Sequence, residues 1–110
     1  MGWDKGTDDA YGFLKLGESL TLVEFRASWC VVCKEQSLVL EQIARECPLG
    51  IEIQRIDIED DPERAIAMGI QSVPTLILYK QGEEVLRLIG MQDADTMWCV
   101  LRDYLDGVKR

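Results

Sequence analysis

Two cysteines three residues apart, Cys30 and Cys33, come directly after a mostly apolar run at 20–27 and directly before a stretch with helical periodicity. That order constrains the fold more than any residue count, because a buried segment must pass to a helix through a loop of very few residues. The run at 20–27 is rich in β-branched and aromatic members, the pattern of a strand covered on both faces. From 31 to 46 the apolar positions Leu40, Ile43, Ala44 and Cys47 recur at helical spacing, and Pro48 with Gly50 is expected to stop the helix.

The rest of the chain alternates in the same way. Residues 51–58 place Ile51, Ile53, Ile56 and Ile58 among polar residues and read as a second strand. The acidic Glu59-Asp60-Asp61-Pro62 then starts a short helix that Gly69 ends. A third strand at 75–79 follows Ser72-Val73-Pro74, and Gln81-Gly82 is a hairpin turn into a fourth at 83–89. A last helix over 93–107 has Asp93 as capping residue and Met97, Leu101, Tyr104 and Val108 on one face. Residues 8–16 add a possible first helix. The order βαβα then ββα implies an α/β fold with a mixed central sheet and helices on both faces, since parallel neighbours need crossovers and the final pair needs only a turn.

Composition sets limits on partners and compartment. One domain over 1–110 is expected, because no linker, repeat or composition shift divides 110 residues that are 47% hydrophobic. A net charge of −8 without a Lys/Arg cluster argues against nucleic acid and anionic membranes, which need cations to displace counterions. The first residues lack a signal-like apolar stretch, so a cytoplasmic protein is expected. Four unevenly spaced cysteines do not resemble the disulfide framework of a small secreted domain. The lack of histidine removes the commonest metal ligand. A metal site at Cys30, Cys33 and Cys47 fails on distance, for Cys47 lies about 20 Å along the helix from Cys33 at 1.5 Å per residue.

The segment Val23-Glu24-Phe25-Arg26-Ala27-Ser28-Trp29-Cys30-Val31-Val32-Cys33-Lys34 resembles the active-site stretch of thioredoxins. Supporting matches are Ser72-Val73-Pro74 before a strand, Arg55 where the family usually has Lys, Gly82 in the hairpin and Gly90 after the last strand. The spacing has a physical rationale: two cysteines three apart at a helix start share a face, close enough for a disulfide, and the first meets unpaired N–H groups and the positive end of the helix dipole. That field favours the nucleophilic thiolate.

The resemblance implies a thioredoxin fold with four firm strands, the family's first edge strand being absent or vestigial because residues 1–6 lack its apolar run. It implies a thiol–disulfide oxidoreductase that reduces protein disulfides with its own Cys30–Cys33 pair and no bound cofactor or metal. Cys30 would be the exposed attacker and Cys33 the buried resolving sulfur. Glu24 would take the Cys33 proton, its carboxyl raised by burial. Pro74 would be a cis-proline facing the disulfide, leaving the Val73 backbone free for an extended substrate segment. Trp29, Val31, Val32, Val73 and Gly90 would form the docking surface, with Arg55 in support. The implied partners are disulfide-containing clients and a flavoprotein thioredoxin reductase or its equivalent, for a monomer that binds neither nucleic acid nor membrane.

Departures from the family bear on specificity. Val31-Val32 replaces the usual Gly-Pro, Arg26 a usual Trp, and Leu38 the proline that commonly kinks the active-site helix. These admit a second reading, a dedicated reductant of one client with a non-standard reductase, and a third, a non-catalytic interaction module on the same scaffold. Cys47 is expected in the core and Cys99, flanked on its helix by charged residues, at the surface.

Overall fold

In the computed structural model the described residues are 20–47 and 51–109, with side chains described as far as Tyr104. Strand β1 (Leu20–Arg26) is buried on both faces because it is central: β2 (Ile51–Asp57) lies parallel on one side and β3 (Thr75–Lys80) antiparallel on the other. Strand β4 (Glu83–Ile89) pairs antiparallel with β3, giving the order β2-β1-β3-β4. The β3–β4 turn is the expected one. Gln81 and Gly82 both have positive φ, 55° and 85°, the combination whose twist suits a two-residue hairpin.

Helix α1 (Val31–Glu46) crosses from β1 to β2 and runs the full predicted length. Helix α2 (Pro62–Ala67) starts at Asp61, whose side chain accepts from Arg64 N, and Gly69 (φ 72°) follows its end. Helix α3 (Ala94–Lys109) is capped by Asp93, whose Oδ1 accepts from Thr96 N at 2.8 Å. That bond holds the Asp93 carboxyl below its ordinary pKa.

The pleat of β1 divides the core. Leu20 and Leu22 face α1 and α3 with Leu40, Ile43, Leu76, Leu78, Met97 and Leu101. Val23 and Phe25 face the other way, toward Ile56, Met68, Ile77 and Tyr79. Strand β2 keeps a regular pleat: Ile51 and Ile53 join the first cluster, and Ile56, three residues further on, joins the second, as does Ile58 beyond the strand's end. Arg55 continues the face of Ile51 and Ile53, sits opposite Glu24 and points to the α1 side. Cys47 is buried and Cys99 exposed, as expected.

The anticipated helix at 8–16, the weak or missing first strand and the helix stop at Pro48 and Gly50 lie outside the described residues. Leu78 sits at the centre of the first cluster with 1% exposure. Leu78→Ala is expected to cost about 2–5 kcal/mol through lost transfer energy and a cavity. Chemical denaturation should show a lower midpoint at unchanged slope; an unchanged midpoint would refute this packing.

Candidate functional site

The β1–α1 connection places the sulfurs. Cys30 N donates to Ala27 O at 3.1 Å, closing a tight turn, and Cys30 is the N-cap of α1, with its Sγ accepting from Cys33 N at 3.1 Å. The two residues form a disulfide with Cα atoms 5.2 Å apart, inside the range that such a bridge requires. Cys33 is fully buried, while Cys30 retains 7% exposure. Cys30 is less open than anticipated, because it packs with Ala27, Cys33, Ile58 and Val73.

Around the sulfurs lies an apolar rim. Trp29 is 63% and Val31 73% exposed, and Val32 is exposed as well. Large apolar side chains left in water beside a reactive sulfur suit a docking surface better than a core. The Val73–Pro74 peptide is cis, and Pro74 O accepts from Gly90 N at 2.8 Å. Gly90, at φ 94°, adopts a backbone conformation that side chains disfavour. The loop after β4 therefore lies against the Pro74 turn, which in turn carries Val73 to the sulfurs.

Glu24 has 0% exposure and is no surface acid. Ser37 Oγ donates to its two carboxylate oxygens at 2.8 and 3.0 Å, and Arg55 Nε lies 3.3 Å from Oε1. Arg55 is shared with Glu41 at 3.1 Å. Burial pushes the Glu24 carboxyl above its ordinary value, with the Ser37 bond, Arg55 and Arg26 pulling against it. Ser37 escaped sequence reading, although it lies one helical turn beyond Cys33 on the same face of α1. Arg26 is half-buried, and its Nε has no hydrogen-bond partner among the described residues.

Of the residues read from sequence, Val73 packs with Cys30 and Cys33, Trp29, Val31 and Val32 adjoin them in the chain, Gly90 is tied to Pro74, and Glu24 pairs with Arg55. Among the described residues no group of three or more potential metal ligands occurs, and no helix is long and apolar enough to cross a membrane.

Comparison with known proteins agrees with this geometry. The family model for thioredoxin matches residues 9–103. A thioredoxin of Chlamydia muridarum is 43% identical over 82 residues, 74% of this chain and 79% of its own length. One from Alicyclobacillus acidocaldarius is 36% identical over 81% of this chain and 85% of its own. Among solved structures, a mutant thioredoxin from Halobacterium salinarum superposes with a TM-score of 0.73 at 31% identity, covering 79% of this chain and 75% of that one.

Proposed function

Because the chain belongs to the thioredoxin family and is a thiol–disulfide oxidoreductase that reduces protein disulfides, we propose that Cys30 is its attacking sulfur and Cys33 its resolving one. The observation that carries this assignment is the N-cap geometry. Cys33 N–H points at Cys30 Sγ, and the start of α1 adds a positive field, so negative charge is stabilised on Cys30. The deeper burial of Cys33 supports its part as the internal, resolving sulfur.

The reaction follows from these positions. The Cys30 thiolate attacks one sulfur of a client disulfide; that bond breaks, the departing client sulfur takes up a proton, and a Cys30–client disulfide forms. Cys33 then gives its proton toward Glu24 and attacks Cys30 Sγ, which breaks the mixed disulfide and releases the second client sulfur as a thiol. The client gains two electrons and two protons, and Cys30–Cys33 is left oxidised. A carboxyl whose affinity for protons is raised by burial is better suited than an ordinary carboxylate to accept one and return it. Ser37 and Arg55 hold that carboxyl in place, and Cys33 shares the helix face of Ser37.

Clients bearing disulfides and a thioredoxin reductase are the general partners of the family. The finer reading is a single-domain monomer over 1–110 acting in the cytoplasm, renewed by a flavoprotein reductase and binding neither nucleic acid nor membrane. Trp29, Val31, Val32, Val73 and Gly90 dock the client, Pro74 shapes that surface, and Arg55 supports Glu24. The acidic net charge and the exposed valines support this reading.

Incubation with a disulfide-bonded protein, NADPH and a generic thioredoxin reductase tests the scheme. Sustained NADPH consumption is expected. Reduction of the client with dithiothreitol but not with the reductase would instead assign the chain to a dedicated redox partner. Failure with both would reject the assignment.

A further inference from the structure

Gln36 is the large polar side chain in the stripe that α1 buries, alongside Cys33, Leu40 and Ile43, and it has 0% exposure. Its carboxamide is spent on one distant residue. Nε2 donates to Gln92 O at 3.0 Å, and Gln92 N donates to Oε1 at 2.7 Å. An isolated amide in an apolar interior is costly, whereas a methionine or leucine would fill similar space without that cost. The reciprocal pair offsets the burial and fixes the position of one peptide segment, which an apolar side chain cannot do.

The segment it fixes adjoins the sulfurs. Residues 91–93 belong to no helix or strand, so their backbone groups need partners elsewhere. Gly90 N is held by Pro74 O, and the Gln92 side chain folds back to donate to Gly90 O at 3.2 Å. Gln36 closes the set by tying this loop to α1 one turn beyond Cys33. Ile89 and Met91, exposed large apolar residues, are thereby presented beside the Pro74 turn.

We propose that Gln36 is a positioning residue for client docking: through Gln92 it holds the loop after β4 in the shape that receives an apolar, extended client segment next to Cys30. The proposal rests on the functional reading above and deepens it. Both hydrogen bonds of Gln36 go to Gln92 and neither to a reacting sulfur, so it acts on binding of a large client and not on the chemistry of the pair.

Gln36→Met keeps the length and flexibility of the side chain and removes both bonds. With a protein disulfide as substrate, KM is expected to rise about tenfold, the effect of about 1.4 kcal/mol, at unchanged kcat. The rate with a small aromatic disulfide, which needs no docking loop, should stay within about twofold of the parent. An unchanged KM, or an equal loss with both substrates, would overturn the proposal. In the unmodified protein, the Gln92 amide should exchange with deuterium more slowly than that of Met91; rapid exchange would overturn the clamp whether or not the variant folds. If the unmodified protein reduces small disulfides but no protein disulfide, the functional reading falls and the proposal with it.

Discussion

Cys30→Ser is expected to lower the rate of protein-disulfide reduction at least about a thousandfold, the scale on which loss of a nucleophile acts. Its hydroxyl stays protonated near neutrality even with the Cys33 N–H directed at it, so the helix field has no thiolate to stabilise. Cys33→Ser should behave differently. Attack by Cys30 remains possible, but the internal displacement does not, and a client should stay covalently attached through Cys30. Gel electrophoresis without reductant, before and after dithiothreitol, reads the distinction. Equal activity of Cys30→Ser and the parent protein, or release of client by Cys33→Ser at the parent rate, would contradict the assigned order of attack.

The second large effect concerns Glu24. Burial raises its proton affinity in the folded protein, so the native state holds this proton more tightly than the unfolded chain does. The sign follows. The contribution to stability is fully present below the ordinary carboxyl value of 4.5 and is lost as pH rises through the higher folded value. Above that point a carboxylate must be kept in a site without solvent, with Ser37 and Arg55 compensating only in part. Glu24→Gln retains an acceptor for Ser37 and removes the charge. It is expected to raise stability by about 1 kcal/mol or more at pH 8, with little change at pH 4. It should also slow release of the mixed disulfide about a hundredfold near neutrality, the usual scale for losing a proton acceptor. Thermal unfolding at the two pH values and a stopped-flow measurement of client release check both halves. A variant less stable at pH 8 than at pH 4 relative to the parent would refute the direction of the shift.

These two sites differ in how far the sequence exposed them. Gly69, Gln81-Gly82, Pro62 and Asp93 punctuate the chain at positions where the backbone has few alternatives, and each element boundary they implied is found in the fold. The mostly apolar run of β1 likewise pointed to a central strand, because a strand flanked on both sides and covered on both faces need not alternate with polar residues. Burial of Glu24 was readable from its neighbours Leu22, Val23 and Phe25.

Its partners were less accessible, since pairing across β1, β2 and α1 depends on register. Ser37 looks in sequence like an ordinary polar residue in a helix, and only the placement of α1 over Glu24 gives it a role. Gln36 and Gln92 are 56 residues apart, and nothing local to either marks them as partners. The role of Arg55 has the same origin: it takes the place of a third isoleucine on the face of Ile51 and Ile53, and only the pairing of β2 with β1 sets it against a carboxylate. Cys30 is less exposed than its motif suggested because Ile58 and Val73, from two other connections, close around it.

The account as a whole depends on Cys30 and Cys33 exchanging between bridge and thiols as a unit. Equilibration of the protein in glutathione buffers of stepped potential, followed by acid quench, alkylation and whole-protein mass measurement, tests this directly. The prediction is that Cys30 and Cys33 lose their labels together in one reversible two-electron transition, with a slope of about 30 mV per tenfold change, while Cys47 and Cys99 remain free thiols throughout. Oxidation confined to Cys99, or a Cys30 that never pairs with Cys33 at any potential, would contradict it.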